Sequence, residues 1–242
     1  MNAIELKNLT RRFGSRAAVS DLTLSIREGE IFALLGQNGA GKTTTIRMLT
    51  GLLAPSSGDA EVFGHSILTD RDAAKRLTNL SPQETAVANR LSVRENLVLI
   101  ARLYGMKKPD AEARAEELMR RFHLTDRAGE RAKKLSGGMQ RRLSLAMALV
   151  SDPKVLFLDE PTLGLDVRAR RDLWREVEAL RESCTVILTT HYMEEAEALA
   201  DRICILNEGM ICALGTAEEL RKQTGANNLE EAFLALTEGG LA

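Results

Sequence analysis

No uncharged stretch of this 242-residue chain approaches the roughly 20 consecutive apolar residues that carry a helix across a bilayer. If the chain works at a membrane, something else must hold it there. The opening MNAIELKNLTRRFG lacks the apolar core of a secretory signal. Cysteine is scarce: Cys184, Cys204 and Cys212 form an odd set without the close pairs of a zinc site, and two of them alternate with Ile and Leu in apparent strands. All three are expected to be buried, reduced thiols, consistent with a cytosolic chain. An excess of one charge is also missing. Lys and Arg number 33 and Asp and Glu 34, a net charge of −1, so no global field draws the protein to nucleic acid or anionic lipid, and any such contact must be local. Internal repeats and low-complexity segments are absent. With 44% hydrophobic residues the chain can bury a substantial core, which excludes a disordered protein.

The pattern along the chain begins with short strands. Residues 4–9 and 22–26 alternate, and residues 31–35 are an uninterrupted apolar run, as expected of a strand buried on both faces. A helix is expected over 42–52, ending at APSSG, with further strands at 61–63 and 77–81. From about Glu84 to Pro153 the character changes to successive helices. Ser92-Val-Arg-Glu95 is a capping box opening a helix through Tyr104, Pro109 starts another through Phe122, and residues 137–150 form a third. Alternation then resumes with a strand at 155–158, a helix at 168–180, a strand at 185–190 and a helix from about Met193. Residues 202–207 and 210–213 flank Glu208-Gly209 as a hairpin, and Thr216-Ala-Glu-Glu219 is a second capping box. Such alternation argues for an α/β fold with a largely parallel sheet covered by helices on both faces.

Residues 36–43, GQNGAGKT, satisfy G-x-x-x-x-G-K-[ST] between a strand and a helix. The glycines let backbone N–H groups turn around a β-phosphate, Lys42 reaches the β- and γ-oxygens, and Thr43 offers its hydroxyl to Mg²⁺. Asp159 and Glu160 end the apolar strand of VLFLDEP, and ligands of open α/β sheets sit at such ends. Asp159 there can hold Mg²⁺ through its water shell and Glu160 can polarise an attacking water; in isolation the pair would read as two acids facing solvent. His191 follows a strand opening on the same crevice and is a candidate to contact the γ-phosphate and orient Glu160, a structural histidine being the alternative. Gln83 lies where the sheet pattern yields to helices, so its amide is a candidate for Mg²⁺ or water, against a plain surface glutamine.

LSGGMQRR at 135–142 places Ser136, Gly137 and Gly138 at a helix N-terminus, whose unpaired N–H groups and partial positive charge suit a γ-phosphate. The chain already has one complete phosphate cradle. A second anion site in another part of the fold makes sense if it serves another protomer's nucleotide, an ordinary serine cap being the alternative. Arg141 and Arg142 are expected to form a solvated helix face, and His65 and His123 are assigned no role.

In their order, GQNGAGKTT, SPQ at Gln83, LSGGMQ, VLFLDEP, GLD at Asp166 and TTH at His191 resemble the nucleotide-binding subunit of an ATP-binding cassette (ABC) transporter over essentially the whole length. The resemblance implies a P-loop NTPase (RecA-like) core with a mainly parallel sheet, an N-terminal antiparallel β part and an inserted α-helical subdomain. It divides 1–242 into a nucleotide-binding core at 1–84 and 154–242 and an insertion at 85–153. ATP and Mg²⁺ are the implied cofactors. Gly36, Asn38, Gly39, Ala40, Gly41, Lys42, Thr43 and Thr44 would contact the nucleotide, with Thr43, Gln83 and Asp159 at the metal and Glu160 and His191 catalytic. Two subunits, expected to be identical, would pair head to tail, so that Ser136, Gly137, Gly138 and Gln140 of one complete the other's site and Asp166 lies in a loop crossing the interface. Phe13, in RRFG, matches the family's adenine-stacking aromatic; stacking needs only the ring, and core packing is the alternative. Polytopic permease subunits would dock on the region from Gln83 to Leu103, placing the protein at the cytoplasmic face of the membrane, with no nucleic acid expected. The tail at 228–239, NLEEAFLALTEG, is similar to that of cassettes serving drug, lipid and polysaccharide exporters. Two other classes compete: a soluble cassette ATPase acting on DNA or ribosomes, whose usual coiled-coil, zinc or duplicated-cassette features are not seen, and a regulatory ATP-binding module, against which Glu160 and His191 argue.

Overall fold

The alternation of strands and helices resolves into two sheets, described for residues 1–238 by a computed structural model. The larger has the order β10 (Met210–Gly215), β9 (Arg202–Asn207), β3 (Ile31–Leu35), β8 (Thr185–Thr190), β7 (Val155–Asp159), β6 (Thr78–Ser81). Only β9 and β10 pair antiparallel within it. Every residue of β3, β7 and β8 is buried. Along β3, Ile31, Ala33 and Leu35 join one hydrophobic cluster with the helices, while Phe32 and Leu34 join a second with the smaller sheet. Burial on both faces is why these strands read as continuous apolar runs.

The smaller, antiparallel sheet has the order β2 (Arg16–Arg27), β1 (Asn2–Phe13), β4 (Ser57–Val62), β5 (His65–Ser66). β1 and β2 extend well beyond the expected 4–9 and 22–26. Their outer halves carry register shifts and polar side chains, and Asn8 and Asp21, both with φ of 52°, are joined by a 2.6 Å side-chain hydrogen bond. Ladder hydrogen bonds hold this part without an alternating apolar face, so periodicity does not mark it. β4 likewise starts before the expected 61–63.

Helix α1 (Lys42–Leu49) stops short of the expected 52 because Gly51 turns the chain at φ 67°. Helix α2 (Arg71–Leu77) was not expected; only Ala74 of RDAAKRL is buried, so it shows no apolar stripe. It takes Leu77 from the expected strand. Helices α3 (Val93–Leu103), α4 (Lys108–Arg121) and α5 (Gly137–Ala148) follow between β6 and β7. Ser92 opens α3 as expected: its Oγ accepts from the Glu95 N–H at 3.2 Å, and Glu95 Oε2 accepts from the Ser92 N–H at 2.7 Å. Helix α6 (Val167–Glu178) precedes β8 and α7 (Met193–Leu199) follows it. The β9–β10 hairpin turns at Glu208 and Gly209, both at positive φ. Helices α8 (Ala217–Thr224), with its capping box at Thr216, and α9 (Leu229–Glu238) complete the described chain. Gly239, the last residue of the exporter-like tail segment, lies outside the described residues. Among the described residues, no helix is long and apolar enough to cross a membrane.

Two expectations are corrected. Cys184 and Cys204 are buried, and burial pushes their thiols up to about 11 and about 12. Cys212 is exposed, because the edge strand β10 turns one face outward. The solvated face assigned to Arg141 and Arg142 is also wrong: Arg141 is 5% exposed, turned into the protein, and Arg142 is largely covered beside Asp172.

The segment after Gln83 is pinned by one buried amide. Asn96 of α3 accepts from the Ala88 N–H at 2.8 Å and donates to the carbonyls of Ala88 and Ser92 at 3.2 and 2.9 Å. Asn96→Ala leaves the Ala88 N–H unmet, while the Ala88 and Ser92 carbonyls keep the Leu91 and Asn96 N–H groups, and we expect a loss of about 1–3 kcal/mol, read as a lower denaturant midpoint. An unchanged midpoint would show that the loop does not depend on this amide.

Candidate functional site

The buried strand β3 delivers the chain directly into the phosphate loop, whose path is set by neighbouring main chain. A Cβ at Gly36 would lie 2.5 Å from the Leu206 carbonyl oxygen, and one at Gly41, where φ is 102°, 2.6 Å from that of Ala18. Only glycine meets both demands. Gly41 caps α1 without a side-chain acceptor, leaving the first-turn N–H groups at Lys42, Thr43 and Thr44 without partners inside the helix. These donors, with the helix dipole, make an anion cradle.

Strands β7 and β8 bring the acids and the histidine to the same place. In their register Asp159 pairs with Thr189. Asp159 Oδ1 accepts from Thr189 Oγ1 at 2.6 Å and from Thr43 Oγ1 at 3.0 Å, joining strand end to phosphate loop. Glu160 follows at φ 48°, a left-handed conformation uncommon outside glycine; its N–H donates to the Thr189 carbonyl and hydroxyl. The turn sends its carboxylate inward, where Oε1 lies 3.2 Å from Lys42 Nζ and Oε2 2.8 Å from His191 Nδ1. Lys42 also donates to the Gly36 and Gln37 carbonyls at 2.6 and 3.2 Å. Lys42 is therefore buried, paired with the candidate base.

A cavity of about 360 Å³ opens on Lys42, Thr43 and Glu160, and Phe13, Asn38, Gly39 and Gln83 also line it. Phe13 is half exposed, with the Arg11 guanidinium 4.6 Å from its ring centroid. Gln83 is exposed at the cavity edge. Ala40 is buried behind the loop, its carbonyl accepting from the Gly209 N–H at 3.1 Å. A larger cleft, of about 740 Å³ between α6 and α7, is lined by Trp174, Arg181 and Leu199 and holds no candidate residue.

The second anion-site candidates do not line the 360 Å³ cavity. Ser136 caps α5, its Oγ accepting from the Met139 N–H at 3.3 Å, and is exposed together with Gly137. Gly138 faces Ala169 of α6, where a Cβ would come within 3.1 Å of the alanine methyl. Asp166 caps α6 by accepting from the Ala169 N–H at 2.9 Å. Gln140 spends its amide on the carbonyls of Ala132 and Leu135, at 3.1 and 3.3 Å, holding the approach to the helix.

Sequence reasoning missed Thr189, which joins Asp159 to Glu160; its place at the end of a strand neighbouring VLFLDE was the available signal. It also missed Arg141. Burial lowers the pKa of that guanidinium, and the charges of Glu195, Asp159 and Glu160 oppose the shift. Glu195 is itself fully buried; burial pushes its carboxyl up, opposed by the Trp174 Nε1–H, which donates to Oε1 at 3.1 Å.

A glycine-built anion cradle, a lysine, a hydroxyl–carboxylate pair and a glutamate–histidine pair at the carboxyl ends of parallel strands define a phosphate-loop ATPase. The family described as ABC transporter matches residues 19–163. The chain is 43% identical over 229 residues to the daunorubicin resistance ATP-binding protein DrrA3 of Streptomyces coeruleorubidus, covering 94% of this chain and 72% of that protein. It is 41% identical over 218 residues to the Nod factor export ATP-binding protein I of Burkholderia lata, covering 90% and 72%. Among solved structures, the dimeric post-hydrolysis state of the ATP-binding cassette MJ0796 bound to ADP and Pi aligns with a TM-score of 0.78 at 25% identity, covering 88% of this chain and 98% of that one. The chain belongs to the ABC transporter family, as an ATP-binding, ATP-hydrolysing subunit of exporter type. The family expected from the motif order is the one found. Subunits of this kind work with membrane permease partners, and the dimeric neighbour supports dimerisation.

Proposed function

We propose that the chain hydrolyses ATP in a head-to-tail homodimer at the cytoplasmic face of the membrane and drives export of a drug-, lipid- or polysaccharide-like cargo through permease subunits. The observation that carries this reading is the contact of Lys42, Glu160 and His191 at the phosphate loop. In our assignment Gly36, Asn38, Gly39, Ala40, Gly41, Lys42, Thr43 and Thr44 hold the phosphates and Phe13 stacks on adenine. Glu160 takes the proton of the attacking water, and His191, hydrogen-bonded to its Oε2, orients the carboxylate. The Thr43 hydroxyl and Asp159 carboxylate, 3.0 Å apart, are hard oxygen donors of the kind Mg²⁺ takes. With Gln83 they would hold that ion, which neutralises charge developing on the transferred phosphoryl group. Ser136, Gly137 and Gly138 stand clear of their own cavity, as residues that serve a partner's nucleotide must; Gln140 supports them, and Asp166 belongs to the crossing loop. The helical insertion at 85–153 is the lever between this chemistry and the permease, and 1–84 with 154–242 is the nucleotide-binding core. No role in nucleic-acid binding is assigned.

The permease contact is proposed along 83–103 and the adjoining surface. Leu52, Leu103 and Tyr104 are 65%, 73% and 52% exposed, and Leu52 and Tyr104 line a common groove with Lys75. An apolar strip beside charged residues suits a protein partner. Single cysteines along 83–103 are expected to cross-link to the permease in the assembled transporter. A cross-link map confined to the hairpin at 202–215 would refute this docking face.

A further inference from the structure

Arg141 is the one buried guanidinium on α5 that the ATPase reading leaves without work. All five of its N–H donors meet backbone carbonyls: Nε that of Pro161 at 2.6 Å, Nη1 those of Pro82 and Gln83 at 2.6 and 3.1 Å, and Nη2 those of Asp159 and Glu160 at 2.9 and 3.0 Å. Three of these carbonyls are consecutive and belong to the turn in which Glu160 adopts φ 48°. The other two belong to the segment carrying Gln83. The planar fork thus holds the turn by its carbonyls, where Thr189 holds it by the Glu160 N–H, and ties it to the cavity edge.

We infer that Arg141 is a positioning residue for Glu160, fixing the left-handed turn that aims the carboxylate at the phosphate loop and anchoring that turn to the Gln83 segment. The inference rests on Glu160 being the base. Lysine keeps the positive charge but offers three donors from a single point in place of a five-donor plane. Arg141→Lys therefore holds some of the carbonyls and lets the rest of the turn relax. Displacing a catalytic group by about 1 Å can cost roughly a hundredfold in rate, whereas the phosphate loop, which supplies affinity, touches none of the five carbonyls.

The test is a double-mutant cycle on purified protein, read by steady-state phosphate release, with ATP affinity measured by calorimetry and folding by thermal melting. Arg141→Lys is expected to leave ATP affinity and KM within about threefold and to lower kcat by about tenfold to a hundredfold, with Arg141→Gln lower still. In the Glu160→Gln background, Arg141→Lys should cause no further loss of residual turnover, since the group it positions is gone. Wild-type kcat in Arg141→Lys, a loss confined to KM, or a loss that multiplies fully with Glu160→Gln would each overturn the inference. Failure of both Arg141 variants to fold would make the residue a determinant of the fold and overturn it too. Normal turnover in Glu160→Gln alone would instead dismiss Glu160 as the base, and the inference with it.

Discussion

Replacing Glu160 with glutamine is expected to leave ATP bound and to slow its hydrolysis by about 10²–10⁴-fold, the usual contribution of a general base. The amide keeps the size of the carboxylate: its oxygen can still accept from Lys42, and its NH2 can donate to the His191 Nδ1 when that nitrogen carries no hydrogen, so the turn at Glu160 has no cause to move. A nucleotide that is bound and not hydrolysed should then hold two chains together. Adding Ser136→Arg to Glu160→Gln should abolish that dimer, because a long side chain fills the start of α5, where the partner's phosphate would sit. Ser136 is exposed and its cap is one hydrogen bond to the Met139 N–H, so the substitution does not threaten the core. Light scattering with ATP and Mg²⁺ reads the result. A dimer that survives Ser136→Arg would mean that LSGGMQ does not complete a partner's site.

Lys42→Ala should act twice. Loss of the ammonium removes charge-assisted hydrogen bonds to phosphate, each worth about 1.5–3 kcal/mol, and leaves Glu160 facing the nucleotide's negative charge. ATP affinity is expected to fall at least about a hundredfold, and turnover at ordinary ATP concentration should vanish. The same change strands a carboxylate. Lys42 and Glu160 are each 6% exposed at the side chain and their charged atoms are 3.2 Å apart; breaking a buried pair from one side costs up to about 3–5 kcal/mol, softened here by the remaining contact with His191. Lys42→Ala should therefore melt lower than the wild type, and Lys42→Ala with Glu160→Gln should recover most of that loss without regaining nucleotide. Retained turnover in Lys42→Ala would remove the phosphate-loop assignment. A melting point unmoved by the single change would show that the pair contributes nothing to the fold.

The contacts at the phosphate loop could be anticipated because each depends on a short contiguous signal at a strand end. Lys42 follows β3, Glu160 follows β7 and His191 follows β8, and parallel neighbours in one sheet must bring their carboxyl ends together. No contiguous signal announced Arg141. It stands beside Arg142 in a polar run, and which of two adjacent arginines turns inward depends on the rotation of α5 against the Gln83 segment, a tertiary fact. Nor did any contiguous signal announce the contacts of the Gln140 amide with the Ala132 and Leu135 carbonyls. Helix α2 was missed for want of an apolar stripe, the outer halves of β1 and β2 for want of alternation. Cys212 alternates with apolar residues as Cys204 does, but one lies on an edge strand and the other on its inner neighbour, and the pattern of a single strand does not say which is which.

The bracketing of the phosphate loop by the Leu206 and Ala18 carbonyls has a consequence for how this protein can change over time. Side chains that touch one another can be exchanged in compensating pairs, because a loss of volume on one side is met by a gain on the other. A peptide carbonyl has no smaller substitute. Where Gly36 and Gly41 pass within 2.5 and 2.6 Å, at an imagined Cβ, of such carbonyls, no second change can make room short of shifting β9 or β2 as a whole. The loop is thereby frozen to drift, whereas Phe13, half exposed and bordered by side chains, is free to be exchanged for another ring. The ring proposed to recognise the base can be revised by a single substitution; the backbone cradle proposed for the phosphates cannot.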